Sequence, residues 1–132
     1  MTGFVASAFD LFHAGHVLLL KKCKDKCDRL IVGLHVNPAL EREGKKKPVQ
    51  SILERQIQLR GCSYIDDIII YETEEELETI LKTQDIDIRF LGSDYENRSD
   101  ITGYHLIPIT YIPRNHGWSS TELKDRVRGQ HV

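Results

Sequence analysis

Short apolar runs alternate along the chain with segments whose apolar residues recur at helical spacing. The runs predict five β-strands, at residues 3–7, 28–36, 67–71, 87–92 and 106–112. Helices are predicted over residues 17–24 and 73–82, and two further helices open at Ser51 and Ser119. The run at 28–36 is almost continuously apolar, which is typical of a strand covered on both faces.

This alternation predicts an α/β fold, with a parallel sheet covered by helices on both faces, in a single domain spanning residues 1–132. Right-handed crossovers bring the loops that follow the strands to one edge of such a sheet, where ligands bind. The loops expected at that edge are residues 8–16, 37–50, 93–95 and 114–120. The sequence therefore predicts one functional site rather than several.

Composition narrows the class of protein. The 132 residues are 40% hydrophobic and 29% charged, which is typical of a globular chain. A net charge of -2 argues against a nucleic-acid partner. We expect no membrane span and no secretory signal, and an odd count of 3 cysteines does not form a disulfide framework. These features favour a cytoplasmic protein.

Two histidines stand where the first strand gives way to the first helix. His13 and His16 share a face of a helical turn, and Gly15 between them has no side chain to keep an anion from the backbone. The unpaired N–H groups and the positive dipole end of a helix attract phosphate. We therefore predict a phosphate site here. The alternative is a metal site made of Asp10, His13 and His16.

A second pattern of this kind precedes the helix that opens at Ser119. Arg114 offers a planar fork of donors, and Gly117 lets the loop approach a ligand. The hydroxyls that follow belong to Ser119, Ser120 and Thr121. Hydroxyls and N–H groups at a helix start bind phosphate. The alternative is a simply capped helix, in which Ser119 is followed three residues later by Glu122.

Together the two patterns resemble the cytidylyltransferase family of the HxGH nucleotidyltransferase superfamily, and glycerol-3-phosphate cytidylyltransferases in particular. Phe9-Asp10-Leu11 ahead of His13-Ala14-Gly15-His16 is similar to the family's signature, and residues 114–121 resemble its Arg-Thr-Glu-Gly-Ile-Ser-Thr-Thr segment. The resemblance covers nearly the whole chain. It implies a Rossmann-like domain with strand order 3-2-1-4-5, a homodimer, and Mg²⁺ bound through the nucleotide phosphates.

The resemblance also implies roles for single residues. His13 and His16 would stabilise the α-phosphate, and Lys46 would neutralise developing charge, so these three would be catalytic. The implied nucleotide-binding positions are Ala8, Phe9, Asp10, Gly15, Arg55, Asp94, Arg114, Gly117, Ser119, Ser120 and Thr121. Two alternatives stay open: residues 45–47 as a solvated charge run, and Arg55 as a surface helix residue. A second family lysine falls on Gly44, so which lysine acts is also open.

The chain departs from the family pattern at two positions. Ser63 stands where the family has an arginine. Leu77, within an acidic stretch, stands where the glycerol-phosphate enzymes carry a substrate lysine. The acceptor therefore need not be glycerol 3-phosphate.

The expected activity is transfer of a cytidylyl group from CTP to a small phosphorylated alcohol or sugar phosphate, with release of pyrophosphate. One alternative is an adenylyltransferase that uses ATP, because HxGH serves both nucleotides. Another is a nucleotide-binding module that does not turn over. The expected partners are thus a nucleotide and a phosphorylated acceptor, with no nucleic acid and no membrane.

Overall fold

A five-stranded parallel sheet forms the centre of the computed structural model, which describes residues 1–129. The strands are β1 (Thr2–Ser7), β2 (Arg29–His35), β3 (Asp67–Tyr71), β4 (Ile88–Gly92) and β5 (Ile109–Ile112). Their order across the sheet is β3-β2-β1-β4-β5, and every neighbouring pair is parallel. The predicted fold class and strand order are confirmed. The carboxyl ends of all five strands consequently meet at one edge.

Within residues 1–129, four α-helices cross between the strands or follow them. They are α1 (Ala14–Lys24), α2 (Ile52–Arg60), α3 (Glu74–Thr83) and α4 (Ser120–Gly129), and short 3₁₀ turns lie at Pro38–Leu40 and Ser93–Tyr95. The predicted caps are confirmed: the Ser51 and Thr73 side chains accept backbone N–H groups of α2 and α3. The Glu54 carboxylate accepts a hydrogen bond from the Ser51 backbone N–H, which completes the capping box.

The fifth strand is shorter than the sequence predicted. It begins at Ile109 rather than at Leu106, because Pro108 has no N–H to donate to the sheet. The Pro108 carbonyl still accepts from the backbone N–H of Arg89. Residues 101–106 instead form tight turns, and Gly103 adopts a positive φ of 71° within them.

Hydrophobic side chains cover both faces of the sheet, as predicted. One cluster includes Leu20 of α1, Leu59 of α2 and Phe90 of β4. The other joins Leu77 and Leu81 of α3 to the opposite face. With both faces packed, the sheet is a rigid platform, and the open positions are the loops at its carboxyl edge. Within residues 1–129, no helix is both long and apolar enough to cross a membrane.

Candidate active site

A cavity of about 900 Å³ opens at the carboxyl edge of the sheet. Seven of the predicted site residues line it: His13, Gly15, His16, Asp94, Arg114, Ser119 and Ser120. The predicted residues outside its lining are Ala8, Phe9, Asp10, Lys46, Arg55, Gly117 and Thr121. The structure thus joins the two phosphate-binding patterns in one site.

The turn between β1 and α1 has an unusual backbone. Phe9 and Leu11 have positive φ angles of 49° and 52°, a conformation that residues other than glycine seldom adopt. Phe9 is only 1% exposed and packs in the core, and its ring also contacts the His16 ring at a centroid distance of 5.4 Å. Phe9 therefore anchors the strained turn and supports the His16 ring.

The two histidines cap the helix that they begin. His13 Nδ1 accepts from the backbone N–H of Gly15 at 3.0 Å, and His16 Nδ1 accepts from the backbone N–H of His13 at 3.2 Å. Each ring is therefore neutral with its proton on Nε2. Because α1 starts at this cap, the helix begins at Ala14 rather than at the predicted residue 17. The two imidazoles thus accept hydrogen bonds from two of the backbone N–H groups that were predicted to bind phosphate.

Burial and positive neighbours keep both imidazoles neutral. The rings stack at a centroid distance of 3.8 Å. Burial lowers the pKa of His16 to about 3, and the neighbouring His13 contributes to that shift. Burial also lowers the pKa of His13, helped by His116 and Arg114. Neutral imidazoles whose Nδ1 atoms are occupied retain Nε2–H as a donor, which suits phosphate oxygens on which charge is developing.

Gly15 is required for close packing against a neighbouring loop. A Cβ atom here would lie 2.8 Å from His116 Cε1, 2.9 Å from His13 Cε1 and 3.0 Å from the Trp118 carbonyl oxygen. The missing side chain therefore makes room for the 114–119 loop. This close approach brings His116 into the site as a third imidazole, a residue that the sequence analysis did not assign.

Asp10 connects three loops at the edge of the site. Its carboxylate accepts from the backbone N–H groups of Val49 and Gln50 at 2.8 and 3.0 Å. Its backbone carbonyl accepts from the Ser120 hydroxyl at 2.9 Å. The carboxylate thus fixes the loop after β2 against the HxGH turn. Among the residues that the structure describes, no group of three or more His, Cys, Asp or Glu side chains forms a metal site, so the alternative triad with Asp10 finds no support.

Arg55 is a buried positioning residue. It is 2% exposed, so the alternative of a surface residue is wrong. Its guanidinium donates to the backbone carbonyls of Ala8, His35, Val36, Gln50 and Ser51. These carbonyls belong to the ends of β1 and β2 and to the start of α2. Arg55 therefore holds together the backbone beneath the site. Its Nε, Nη1 and Nη2 atoms all donate to backbone carbonyls of the protein.

The 114–121 segment supplies both a cap and ligand-facing groups. Ser119 Oγ accepts from the Glu122 backbone N–H at 3.0 Å, so the capping alternative is confirmed, and Ser119 also lines the cavity. Arg114 donates to the Trp118 carbonyl at 2.6 Å. A Cβ on Gly117 would meet no described atom within 4 Å, and Thr121 is exposed. Gly117 and Thr121 both lie outside the cavity lining, and their predicted contacts to the nucleotide stay predictions.

Among the lysines at 45–47, Lys45 is the one that lines the cavity, although it is as exposed as its neighbours. Its Nζ lies 3.5 Å from the Tyr95 hydroxyl, to which Arg42 Nη2 also donates at 3.4 Å. Although burial opposes ionisation, these two cations lower the pKa of Tyr95. Lys46, the predicted catalytic lysine, is exposed and lies outside the cavity lining.

Of a further part of the cavity, only the 93–95 loop was expected from the sequence. Its polar lining comes from Tyr71, Glu74, Arg89, Tyr95 and Thr102. These residues belong to β3, α3, β4 and the segment after β4, so no short motif contains them. The one available signal was Arg89, a charged residue inside an otherwise apolar strand. The cavity thus has a histidine end and a second end with mixed charges.

Comparison with known proteins finds similar sequences over nearly the whole chain. The family model for cytidylyltransferase-like proteins matches residues 4–126. Glycerol-3-phosphate cytidylyltransferase of Bacillus subtilis is 29% identical over 92% of this chain and 92% of its own length. The bifunctional protein HldE of Campylobacter curvus is 30% identical over 95% of this chain.

The chain spans about a quarter of the length of such bifunctional relatives, 27% in the Campylobacter protein. Among solved structures, a lipopolysaccharide core biosynthesis protein of Thermoplasma volcanium superposes with a TM-score of 0.61 at 18% identity. That match covers 100% of this chain and 89% of the other. It supports the fold.

Proposed function

Since the chain belongs to the cytidylyltransferase-like family, we propose that it transfers a cytidylyl group from CTP to a small phosphorylated alcohol or sugar phosphate. The observation that carries this proposal is the pair of neutral, stacked imidazoles of His13 and His16, whose Nδ1 atoms are held by backbone N–H groups. Arg114, Ser119 and Ser120 line the same cavity. This set of donors suits a triphosphate.

The proposed reaction is an in-line displacement at the α-phosphate. An oxygen of the acceptor's phosphate forms a bond to the α-phosphorus, the bond from that phosphorus to the bridging oxygen breaks, and pyrophosphate leaves with that oxygen. No covalent enzyme intermediate is needed. The Nε2–H groups of His13 and His16 donate to the α-phosphate oxygens, where charge grows in the transition state. Arg114 and the hydroxyls of Ser119 and Ser120 hold the departing pyrophosphate.

Mg²⁺ belongs to this proposal as a companion of the nucleotide. The histidine end of the cavity offers N–H donors and cations, which fit phosphate oxygens and do not fit a divalent metal. The ion would therefore be held by the triphosphate, whose charge it would neutralise. Lys45 and Arg42 add positive charge from the protein beside Tyr95, at the other end of the cavity.

The direct test is pyrophosphate release by the purified chain with Mg²⁺, CTP or ATP, and a panel of phosphorylated alcohols and sugars. We expect release with CTP and a phosphorylated acceptor, and none when the acceptor is omitted. Turnover only with ATP would replace the cytidylyl assignment by an adenylyl one. Tight CTP binding without release from any acceptor would contradict the proposal and favour a binding module.

We propose that the active form is a homodimer in the cytoplasm. The support is resemblance to the family rather than any contact in the single chain. Light scattering coupled to gel filtration tests the first part, because a dimer has twice the mass of the chain. A monomer that is fully active would contradict it.

Lys45 and Lys46 provide a matched pair for testing the loop. We expect Lys45→Met to lower kcat/KM by about 10- to 100-fold, since a charge-assisted contact to phosphate is lost. Lys46→Met, one residue away and exposed, should stay within about 2-fold of the parent. Steady-state kinetics with CTP varied measures both. A larger loss in Lys46→Met than in Lys45→Met would return the catalytic role to Lys46.

A further inference from the structure

Arg89 brings a buried positive charge to the second end of the cavity. It lies on β4, is 4% exposed and lines the cavity. Nη1 donates to the Thr102 carbonyl. Across residues 1–129 this is its one side-chain hydrogen bond, and no carboxylate oxygen lies within 4.0 Å of it. A guanidinium has five N–H donors, so most of its capacity remains for a bound molecule.

The other deeply buried arginine of the site provides the contrast. Arg55 is 2% exposed, and its guanidinium donates to five backbone carbonyls. Burying a charge is costly unless hydrogen bonds compensate, and Arg55 is compensated by the protein. Arg89 is buried nearly as deeply with one such bond. A ligand that accepts from Arg89 would supply the compensation that the protein alone does not.

The groups around Arg89 have mixed charge. Burial lowers its pKa, Tyr71 and Glu74 oppose that shift, and Arg42 adds to it. Glu74 Oε2 accepts from the Thr102 hydroxyl at 2.9 Å, and Glu74 Oε1 lies 3.9 Å from Arg42 Nε. The Glu74 carboxylate can therefore accept a further hydrogen bond, and the nearby Arg89 guanidinium can donate further ones.

The strand register places Arg89 below the edge that carries the histidines. Arg89 pairs with Phe4 of β1, and β1 continues from there to Ser7 before the HxGH turn begins. At about 3.3 Å per residue, the Arg89 backbone lies roughly 10 Å beneath that edge. Arg89 therefore enters the cavity from its floor, where the part of an acceptor remote from its reacting phosphate would lie.

Leu77 explains why a cation on β4 matters. This position on α3, where the glycerol-phosphate enzymes carry a substrate lysine, holds a side chain that is 4% exposed, packs in the core and also lines the cavity. Arg89 lines the same cavity from the neighbouring strand. The positive charge is therefore present in the cavity but comes from a different element.

We propose that Arg89 and Glu74 together select acceptors whose remote end carries hydroxyl groups, and reject acceptors whose remote end is an amine. This inference rests on the proposed function. A hydroxyl accepts from the guanidinium and donates to the carboxylate, so it satisfies both residues at once. An ammonium only donates, so it leaves the Arg89 donors unmet and adds a third positive charge beside Arg89 and Arg42. The acceptor class is thus a polyol phosphate rather than an amino-alcohol phosphate.

The test compares two acceptors of equal size, 2-hydroxyethyl phosphate and 2-aminoethyl phosphate, with glycerol 3-phosphate as the larger polyol. Wild-type kcat/KM should favour the hydroxyl compound by about 100-fold or more, because a site built for a hydroxyl discriminates strongly. Arg89→Met should raise the acceptor KM for glycerol 3-phosphate by about 10- to 100-fold. The KM for CTP should stay within about 2-fold, and Arg89→Lys should recover part of the loss.

Arg29→Met is the matched control, because it removes the same charge from the start of β2, at the opposite edge of the sheet. It should leave the acceptor KM unchanged. The unfolding midpoint of each variant separates misfolding from lost recognition, and Arg89→Lys serves if Arg89→Met does not fold. An unchanged acceptor KM in Arg89→Met, or a wild-type preference for the amine, would overturn the inference.

Failure of the proposed function is distinguishable from failure of this inference. If wild type releases pyrophosphate with no phosphorylated alcohol or sugar of the panel, the proposed function fails. The inference that Arg89 and Glu74 select the acceptor is then tested by calorimetric titration of the same acceptors into the CTP-saturated protein. Tighter binding of the hydroxyl compound that is lost in Arg89→Met supports the inference, and equal binding of both compounds refutes it.

Discussion

Replacing His16 by alanine is expected to lower kcat by about 10²- to 10³-fold, the usual cost of removing one donor to a developing oxyanion. Its Nδ1 is already occupied by the His13 backbone N–H, so the group lost to catalysis is Nε2–H. Because the pKa of His16 is held at about 3, the ring is a neutral donor throughout the pH range of an ordinary assay. Steady-state kinetics with saturating CTP and acceptor measures the loss.

Two further substitutions separate the catalytic role of His16 from its capping role. The asparagine side chain would keep an acceptor near the position of Nδ1, so His16→Asn should retain helix stability and lose activity. The glutamine side chain reaches farther, so His16→Gln should recover part of the activity at some cost in stability, about 1 kcal/mol for a lost cap. If His16→Ala and His16→Asn were both fully active, the assignment of His16 to the α-phosphate would be wrong.

Replacing Arg55 by methionine is expected to lower the free energy of unfolding by about 3–5 kcal/mol, as observed when one partner of a buried charged network is removed. The substitution leaves the buried carbonyl of His35 and the partly buried carbonyls of Ala8 and Val36 without their donor. Because these carbonyls lie beneath the HxGH turn, activity should also fall through misplacement of the site. Urea unfolding followed by circular dichroism gives the change in free energy.

Arg60→Met is the control on the same helix, because Arg60 is exposed at the end of α2. Its effect should lie within about 0.5 kcal/mol of zero. A loss below about 1 kcal/mol in Arg55→Met would show that the five carbonyl contacts are not what stabilises this part of the fold.

Periodicity and cap chemistry predicted most of the fold because both are local. The apolar run at 67–71 coincides with β3, and Ser51 and Thr73 cap the helices as predicted. The strand order came from family resemblance, since no local pattern specifies which strands are neighbours. Errors occurred where one residue's backbone chemistry decided a boundary. Pro108 delayed β5, and the His13 cap started α1 early.

The site was predictable where its residues share a motif. His13 and His16 lie one helical turn apart, and the structure places both in the cavity with Arg114 and Ser119. Roles that depend on side-chain direction were not predictable. Lys45 rather than Lys46 faces the cavity, and Arg55 turns inward to backbone carbonyls. Arg89 was not predicted as a site residue, because its neighbours in the cavity come from distant parts of the chain.

The central claim, transfer of the cytidylyl group to the acceptor, is tested most directly by following radioactive phosphorus from CTP during turnover. The protein is incubated with Mg²⁺, an acceptor phosphate, and CTP that carries radioactive phosphorus at either the α- or the γ-position. The account predicts that α-label appears in a phosphatase-resistant conjugate of the acceptor, while γ-label leaves as pyrophosphate. Transfer of the γ-label to the acceptor, or retention of all label in CTP that is bound but unreacted, would contradict it.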